Sequence, residues 1–249
     1  MKAATPLMAR VLSKALKRQR PNTVIVMASG GLDSAVLVAE LAAKGKTVYP
    51  VCVRTCVSFE KAQFQALQNF LRHLPYKNIK PLTQLRLPVS TILPSTHWAL
   101  SGWRVPLAKS SDESVYLPGW NLLLVPPVLV FAAREGIPLV MLGHLANNPY
   151  PDSQNSFFEQ LERLASIAFL RKIGIRRPFA HLTKEAVIRR GQHFPLGLTL
   201  SCIQPRKGKH CGGCNRCEER HRYFLKAGIP DPTIYARLKG LLTIQGKVR

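Results

Sequence analysis

Val24-Ile25-Val26-Met27-Ala28 is a short, β-branched, wholly apolar run that stops at Ser29-Gly30-Gly31 and gives way at once to a helical pattern. Such a run, apolar on both of its alternating faces, suits a strand buried within a parallel sheet. Leu37, Val38 and Leu41 place one apolar face on a helix predicted over Ser34 to Ala43, which ends at Gly45. Thr47 to Val53 reads as the next strand, completing a β-α-β unit of about thirty residues. Further helices are predicted over Glu60 to Leu74, Leu122 to Glu135 and Phe157 to Leu170, and a further strand over Leu139 to Leu142, stopping at Gly143. Strand and helix in alternation predict an α/β fold, a doubly wound parallel sheet covered on both faces.

The chain of 249 residues is long enough to build a core without disulfide staples. It carries 36 Lys and Arg against 13 Asp and Glu, a formal charge of +23, yet 46% of its residues are hydrophobic, which excludes a disordered polycation. The longest apolar run, Leu122 to Ala133, is broken by Pro126 and Pro127 and falls short of the roughly 20 residues that cross a bilayer, so no membrane span is expected. Residues 1–22 form a basic N-terminal extension with Lys2, Arg10, Lys14, Lys17, Arg18 and Arg20. It lacks the compact apolar stretch of a secretory signal and is expected to be a basic amphipathic helix, packed or loose, with a transit peptide as the alternative.

Ser29-Gly30-Gly31-Leu32-Asp33-Ser34 lies where backbone N–H groups and a helix dipole converge on an anion. Glycines let backbone approach phosphate closely, and Ser29 and Ser34 add hydroxyl donors. Asp33 would repel phosphate unless a divalent cation stood between them, which points to magnesium, Mg2+. The alternative is an ordinary Gly-Gly turn with Asp33 as a helix cap. Neither a Walker loop nor G-x-G-x-x-G is present.

Cys202, Cys211, Cys214 and Cys217 fall within sixteen residues, a metal-like spacing rather than an oxidised framework, which fits a reducing cytoplasm. Four thiolates suffice for a closed, structural zinc (Zn2+) site, with Gly212 and Gly213 letting the chain turn tightly; an iron–sulfur cluster is the competing ligand. Lys207, Lys209, Arg216 and Arg220 would offset the thiolate charge. His210 and His221 are expected to be surface residues or to lie just behind the ligands, and Cys52 and Cys56 to be small buried hydrophobes. The expected organisation is thus the extension over 1–22, an α/β nucleotide-binding domain over 23–190 and a zinc-stapled segment over 191–249.

The hexapeptide between strand and helix resembles the pyrophosphate-binding PP-loop of the adenine-nucleotide alpha-hydrolase group. Its pairing with Thr199-Leu200-Ser201-Cys202 and with Cys211-Gly212-Gly213-Cys214-Asn215-Arg216-Cys217-Glu218-Glu219-Arg220 resembles the QueC family, the 7-cyano-7-deazaguanine synthases. Tyr116-Leu117-Pro118-Gly119-Trp120-Asn121, Tyr150-Pro151-Asp152, Arg177-Pro178-Phe179 and Leu182-Thr183-Lys184 continue the resemblance in order, from about Thr23 to about Gly228.

The resemblance implies an ATP-dependent carbon–nitrogen ligase that converts 7-carboxy-7-deazaguanine and ammonia into the nitrile preQ0 through an adenylated acid and an amide. Ser29, Gly30, Gly31, Leu32, Asp33 and Ser34 would then bind the ATP pyrophosphate, with Asp33 acting through magnesium. Lys184 would stabilise negative charge as the adenylate forms; its other reading is a lysine in the first turn of a solvated helix. Asp152 would accept hydrogen bonds from a guanine-like edge, or simply cap a turn, and Asn121 is a second pocket residue. A homodimer is implied as well.

Three departures fall around that pocket rather than in the cysteine scaffold: Trp120 where the family has arginine, Arg54-Thr55-Cys56-Val57 in place of Tyr-Gly-Gln, and Ser153-Gln154 in place of Cys-Arg. From Arg163 to Arg249 the chain holds 19 Lys and Arg against four acids. Arg171-Lys172, Arg176-Arg177 and Arg189-Arg190 would suit nucleic-acid phosphates, or a solvated face. Two further readings follow: a related PP-loop enzyme that adenylates a nucleic acid or protein, and a zinc-stapled nucleic-acid-binding protein that is no enzyme.

Overall fold

The computed structural model describes residues 16–146 and 148–236. Most of the basic extension and the last thirteen residues lie outside that range. Five strands, β1 (Thr23–Met27), β2 (Thr47–Arg54), β3 (Thr83–Arg86), β4 (Leu139–Met141) and β5 (Gly174–Arg176), form one sheet. Their order is β3-β2-β1-β4-β5 and every pairing is parallel. This is the doubly wound arrangement expected from the alternation of elements.

The helices are α1 (Leu32–Ala43), α2 (Glu60–Arg72), the single turn α3 (Trp98–Ser101), α4 (Trp120–Glu135), α5 (Asn155–Phe169), α6 (Lys184–Gly191) and α7 (Asn215–Ala227). Alternation along β1 sorts the core into two layers. Val24 and Val26 face the cluster containing Leu37 of α1, Phe70 of α2, Ile188 of α6 and Phe224 of α7. Ile25 faces the cluster built from Val128 of α4 and Leu161 of α5. Helix α4 runs through Pro126 and Pro127. No helix among the described residues is long and apolar enough to cross a membrane.

Segment 191–236 closes onto the first layer, since Phe194, Leu196, Phe224 and Ala227 share its cluster. A third cluster surrounds the four cysteines and takes in Val57, Phe59, Val105 and Leu117. At the other end, Lys17 and Arg20 donate backbone N–H bonds to the Arg134 and Gly136 carbonyls, strapping the chain entry to the end of α4. The sheet changes winding direction between β1 and β4. In such sheets ligands bind at the carboxyl ends of the strands flanking that reversal, and both the 29–34 turn and Gly143 stand there.

Candidate active site

The 29–34 turn is held open by its own polar groups. Gly31 N–H donates to Ser29 Oγ at 3.2 Å, Ser29 N–H to Ser34 Oγ at 3.3 Å, and Ser34 Oγ to the Gly31 carbonyl at 3.2 Å. No side chain caps α1 at Gly31, so N–H groups of its first turn remain for an anion. Gly30 adopts φ +92°, and a Cβ there would drive into the Gln63 carbonyl. A Cβ on Gly143 would come within 3.0 Å of the Asp33 backbone carbon and the Ser34 nitrogen, so the β4 exit presses directly on the turn.

Of the residues expected to bind phosphate, all but Gly30, which is buried behind the turn, line two adjoining chambers. One, of about 520 Å³, is bounded by Gly31, Leu32, Asp33, Gly143 and Lys184; the other, of about 270 Å³, by Ser29, Gly31, Asp33, Ser34 and His144. The Leu32 side chain is buried at 2% exposure in the first core layer, which leaves its backbone for any ligand. Asp33 does not cap its helix. Its Oδ2 accepts from Lys184 Nζ at 2.6 Å, while Oδ1 is buried without a partner. Thr183 caps α6 by accepting from Ala186 N–H and so fixes Lys184 at the first position of that helix. Burial works against the lysine's charge, but Asp33 and Glu219 outweigh it and hold its pKa above the usual range.

A third chamber, of about 330 Å³, adjoins these and has an aromatic lining: Phe59, Phe64, Trp98, Tyr116, Trp120 and Tyr150. Tyr116 and Tyr150 stack at 4.1 Å between ring centroids. Asn121 and Asp152 also line it, and they are bound to each other. Asp152 Oδ2 accepts Asn121 N–H at 2.8 Å, and Asn121 Nδ2 donates to the Asp152 carbonyl and to Ser153 Oγ. Asp152 thereby satisfies an orphan donor at the start of α4, a helix other than its own. Glu60 accepts from Arg54 Nε and from the Thr55 and Cys56 backbone N–H groups. Arg54 to Cys56, one of the departures noted in the sequence, thus closes around an internal carboxylate.

Sequence reasoning missed His144, Arg216 and Glu219. His144 follows Gly143 and, alone among the described residues, lines all three chambers. Its Nδ1 is buried without a partner, and burial, aided by Arg177, pushes the imidazole down to about 4, so the ring is neutral. A lone histidine three residues after a strand gives no signal in a single sequence. Arg216 and Glu219 were hidden inside the cysteine motif. They pair at 2.6 Å on α7 and turn into the phosphate chamber with Tyr223.

The sulfurs of Cys202, Cys211, Cys214 and Cys217 all lie within 4.8 Å of one another, and all four residues are buried. Cys202–Cys214 and Cys211–Cys217 are each 3.8 Å apart, close to the edge of a tetrahedron built on the roughly 2.3 Å zinc–thiolate bond. Gln204 and Cys211 N–H groups point at Cys202 Sγ, and Gly213 N–H at Cys211 Sγ, as thiolates require. The donor set fits a metal ion. Since Cys214 stands at the N-cap position of α7 and Cys217 lies in its first turn, a metal held there would also fix where Arg216 and Glu219 point.

Arg220 is buried and bonds Thr199, Thr233 and the Leu196 carbonyl, and Lys207 and Lys209 are exposed. His210 is buried behind the ligands, accepting Ser201 N–H on Nε2. Cys52 is buried, its thiol pushed up to about 12 by desolvation and Glu60, whereas Cys56 is exposed rather than buried. The paired arginines are mostly engaged internally. Arg171 bonds the Lys17 carbonyl, Arg176 pairs with Glu162, Arg177 bonds the Ser153 carbonyl, Arg189 the Ala227 carbonyl, and Arg190 pairs with Glu40.

The family model described as queuosine biosynthesis protein QueC matches residues 23–228. A 7-cyano-7-deazaguanine synthase of Syntrophobacter fumaroxidans is 32% identical over 235 residues, covering 86% of this chain and 96% of that protein. The protein of the same name from Syntrophotalea carbinolica is 33% identical over 232 residues, with coverage of 86% and 96%. That from Anaeromyxobacter dehalogenans is 29% identical over 225 residues, with coverage of 86% and 95%. The matched span runs from β1 through the turn, both walls of the chambers and the cysteine centre to the end of α7, and the chain belongs to the QueC family.

Proposed function

We propose that this protein is an ATP-dependent ligase that makes 7-cyano-7-deazaguanine from 7-carboxy-7-deazaguanine and ammonia. One observation carries the reading: an anion-binding turn at the switch point opens, across a shared wall, onto an aromatic-lined chamber sized for a bicyclic base. ATP lies with its polyphosphate on the amides of Gly31 to Ser34 and on the Ser29 and Ser34 hydroxyls. The deazapurine stacks among Tyr116, Trp120 and Tyr150, with Asn121 and Asp152 at its polar edge.

A carboxylate is a poor electrophile because its charge repels nucleophiles and oxide leaves badly. A carboxylate oxygen attacks the α-phosphorus and pyrophosphate departs. Lys184 stabilises the negative charge that gathers there. Ammonia attacks the acyl carbon, AMP leaves with the bridging oxygen, and a proton is lost from nitrogen to give the amide. The amide oxygen then attacks the α-phosphorus of a second ATP, pyrophosphate departs and the nitrogen loses one of its two protons; it loses the other as the second AMP leaves with its oxygen and the nitrile forms.

Asp33 Oδ1, buried and unpartnered, is the atom that would hold magnesium, which supplies charge neutralisation on the phosphates when bound. The four cysteines would hold zinc as a structural centre, and the lack of a disulfide among them fits a reducing compartment such as the cytoplasm. Mass spectrometry of a reaction containing ATP, ammonium and the acid tests the reading. It predicts the nitrile with AMP and pyrophosphate; an acid left unchanged contradicts it. Elemental analysis of the purified protein identifies the metal, with one zinc per chain expected.

A further inference from the structure

The aromatic chamber and the larger phosphate chamber share a wall made by Gln63, His144, Asn148, Tyr150, Ser201 and Arg216. Adenylation joins an acceptor oxygen to a phosphorus, so the reacting oxygen must lie at that wall. Among the described residues lining the aromatic chamber, Arg216 is the only lysine or arginine. The acids there are committed to other partners: Glu60 to Arg54 and two backbone N–H groups, Asp152 to the start of α4. Lys184, the second cation of the phosphate chamber, does not line the aromatic one and is held by Asp33.

A carboxylate moved from water into an aromatic-lined chamber needs a fixed cation or several hydrogen bonds in exchange. A guanidinium offers five donors in a planar fork that matches a carboxylate. Glu219 takes Nη1 of Arg216 at 2.6 Å, which orients the fork and leaves its other donors for a ligand.

We propose that Arg216 binds the carboxylate of the acceptor at the wall between the two chambers, and that it is the residue by which the site takes up an acid rather than an uncharged relative. This rests on the reading that the acceptor is 7-carboxy-7-deazaguanine. Adenylation removes the negative charge that Arg216 holds, and the amide that follows never carries it. Arg216 therefore acts on the first half of the reaction and is nearly indifferent to the second.

The test compares the acid with the corresponding primary amide, 7-amido-7-deazaguanine, as alternative starting compounds for Arg216→Gln and Arg216→Lys, with metal content and circular dichroism checked on each protein. For Arg216→Gln the KM for the acid rises about 10- to 100-fold, the usual worth of a hydrogen bond to a charged group, while the amide KM changes less than about threefold. Arg216→Lys, which keeps charge but loses the fork, falls between. If Arg216→Gln does not fold, the acid-to-amide ratio in Arg216→Lys decides alone. An equal rise for both compounds, or no rise for the acid, overturns the proposal. Wild-type protein that converts neither compound overturns the underlying reading, and this proposal with it.

Discussion

Lys184 Nζ stands 2.6 Å from Asp33 Oδ2 across 151 residues of chain, joining the first turn of α6 to the first turn of α1. The pair is largely enclosed, with side-chain exposures of 14% and 23%. Removing one partner leaves the other charge stranded, which costs about 2–4 kcal/mol, somewhat below the figure for fully buried pairs. Lys184→Met should therefore lower both the unfolding midpoint in urea and kcat, the latter by at least about 100-fold. Asp33→Asn/Lys184→Met should unfold more easily than wild type by less than the sum of the single changes. The lysine's raised pKa places its contribution at full strength below the ordinary lysine range, and it is lost only as pH climbs through the folded value.

Gly30 and Gly45 separate two costs of a side chain in left-handed backbone. Both have positive φ, but a Cβ at Gly45 meets nothing within 4 Å, whereas at Gly30 it strikes the Gln63 carbonyl. Gly45→Ala should cost about 1 kcal/mol of stability and leave activity intact. Gly30→Ala must in addition push α2 from the turn, and ATP binding measured by calorimetry should be lost.

Substitution separates the bond that Asp152 makes to the start of α4 from the base contact proposed for it. Asp152→Ala removes the acceptor for Asn121 N–H and should cost about 1–2 kcal/mol in thermal or urea unfolding. Asp152→Asn keeps an acceptor at the start of α4 and should retain most of that stability. A KM for the acid that rises at least about tenfold in the Asn variant shows that its carboxylate also meets the base; an unchanged KM assigns it to the helix alone.

His144 gives the protein an acid-side pH dependence. Burial lowers its pKa to about 4, below the ordinary value of about 6.5. The unfolded chain therefore binds the extra proton between those values. Stability from this group is present above about pH 6.5 and declines, by about 1.4 kcal/mol per pH unit, as pH falls toward about 4. His144→Gln should flatten the slope of unfolding free energy between pH 6 and 4.5 by about one proton, which urea titrations at several pH values measure.

The sequence announced β1, the turn, α1 and β2 because an unbroken apolar strand followed by Ser-Gly-Gly has few other solutions. It hid β3 and β5. Thr83–Arg86 is a four-residue edge strand with only alternate residues even partly buried, and Gly174–Arg176 is shorter still, so neither leaves a periodic trace. Helix α7 was obscured by its charged Glu-Glu-Arg-His-Arg run and by starting inside the cysteine motif. That same overlap concealed Arg216, which spacing assigned to thiolate neutralisation and packing turns toward the chambers. The cysteines themselves were legible because metal ligation demands their spacing. Asn121 and Asp152 line one chamber, but no local pattern could show that they bind each other.

The step proposed at the 29–34 turn couples an oxygen of the acceptor to AMP. Acid labelled with 18O in both carboxylate positions, incubated with ATP and ammonium, tests this by mass spectrometry of the products. Each nitrile formed should be accompanied by two AMP molecules, each carrying one 18O in its phosphate, because each adenylation removes one acceptor oxygen. Unlabelled AMP, with the 18O recovered in water or inorganic phosphate, would contradict it.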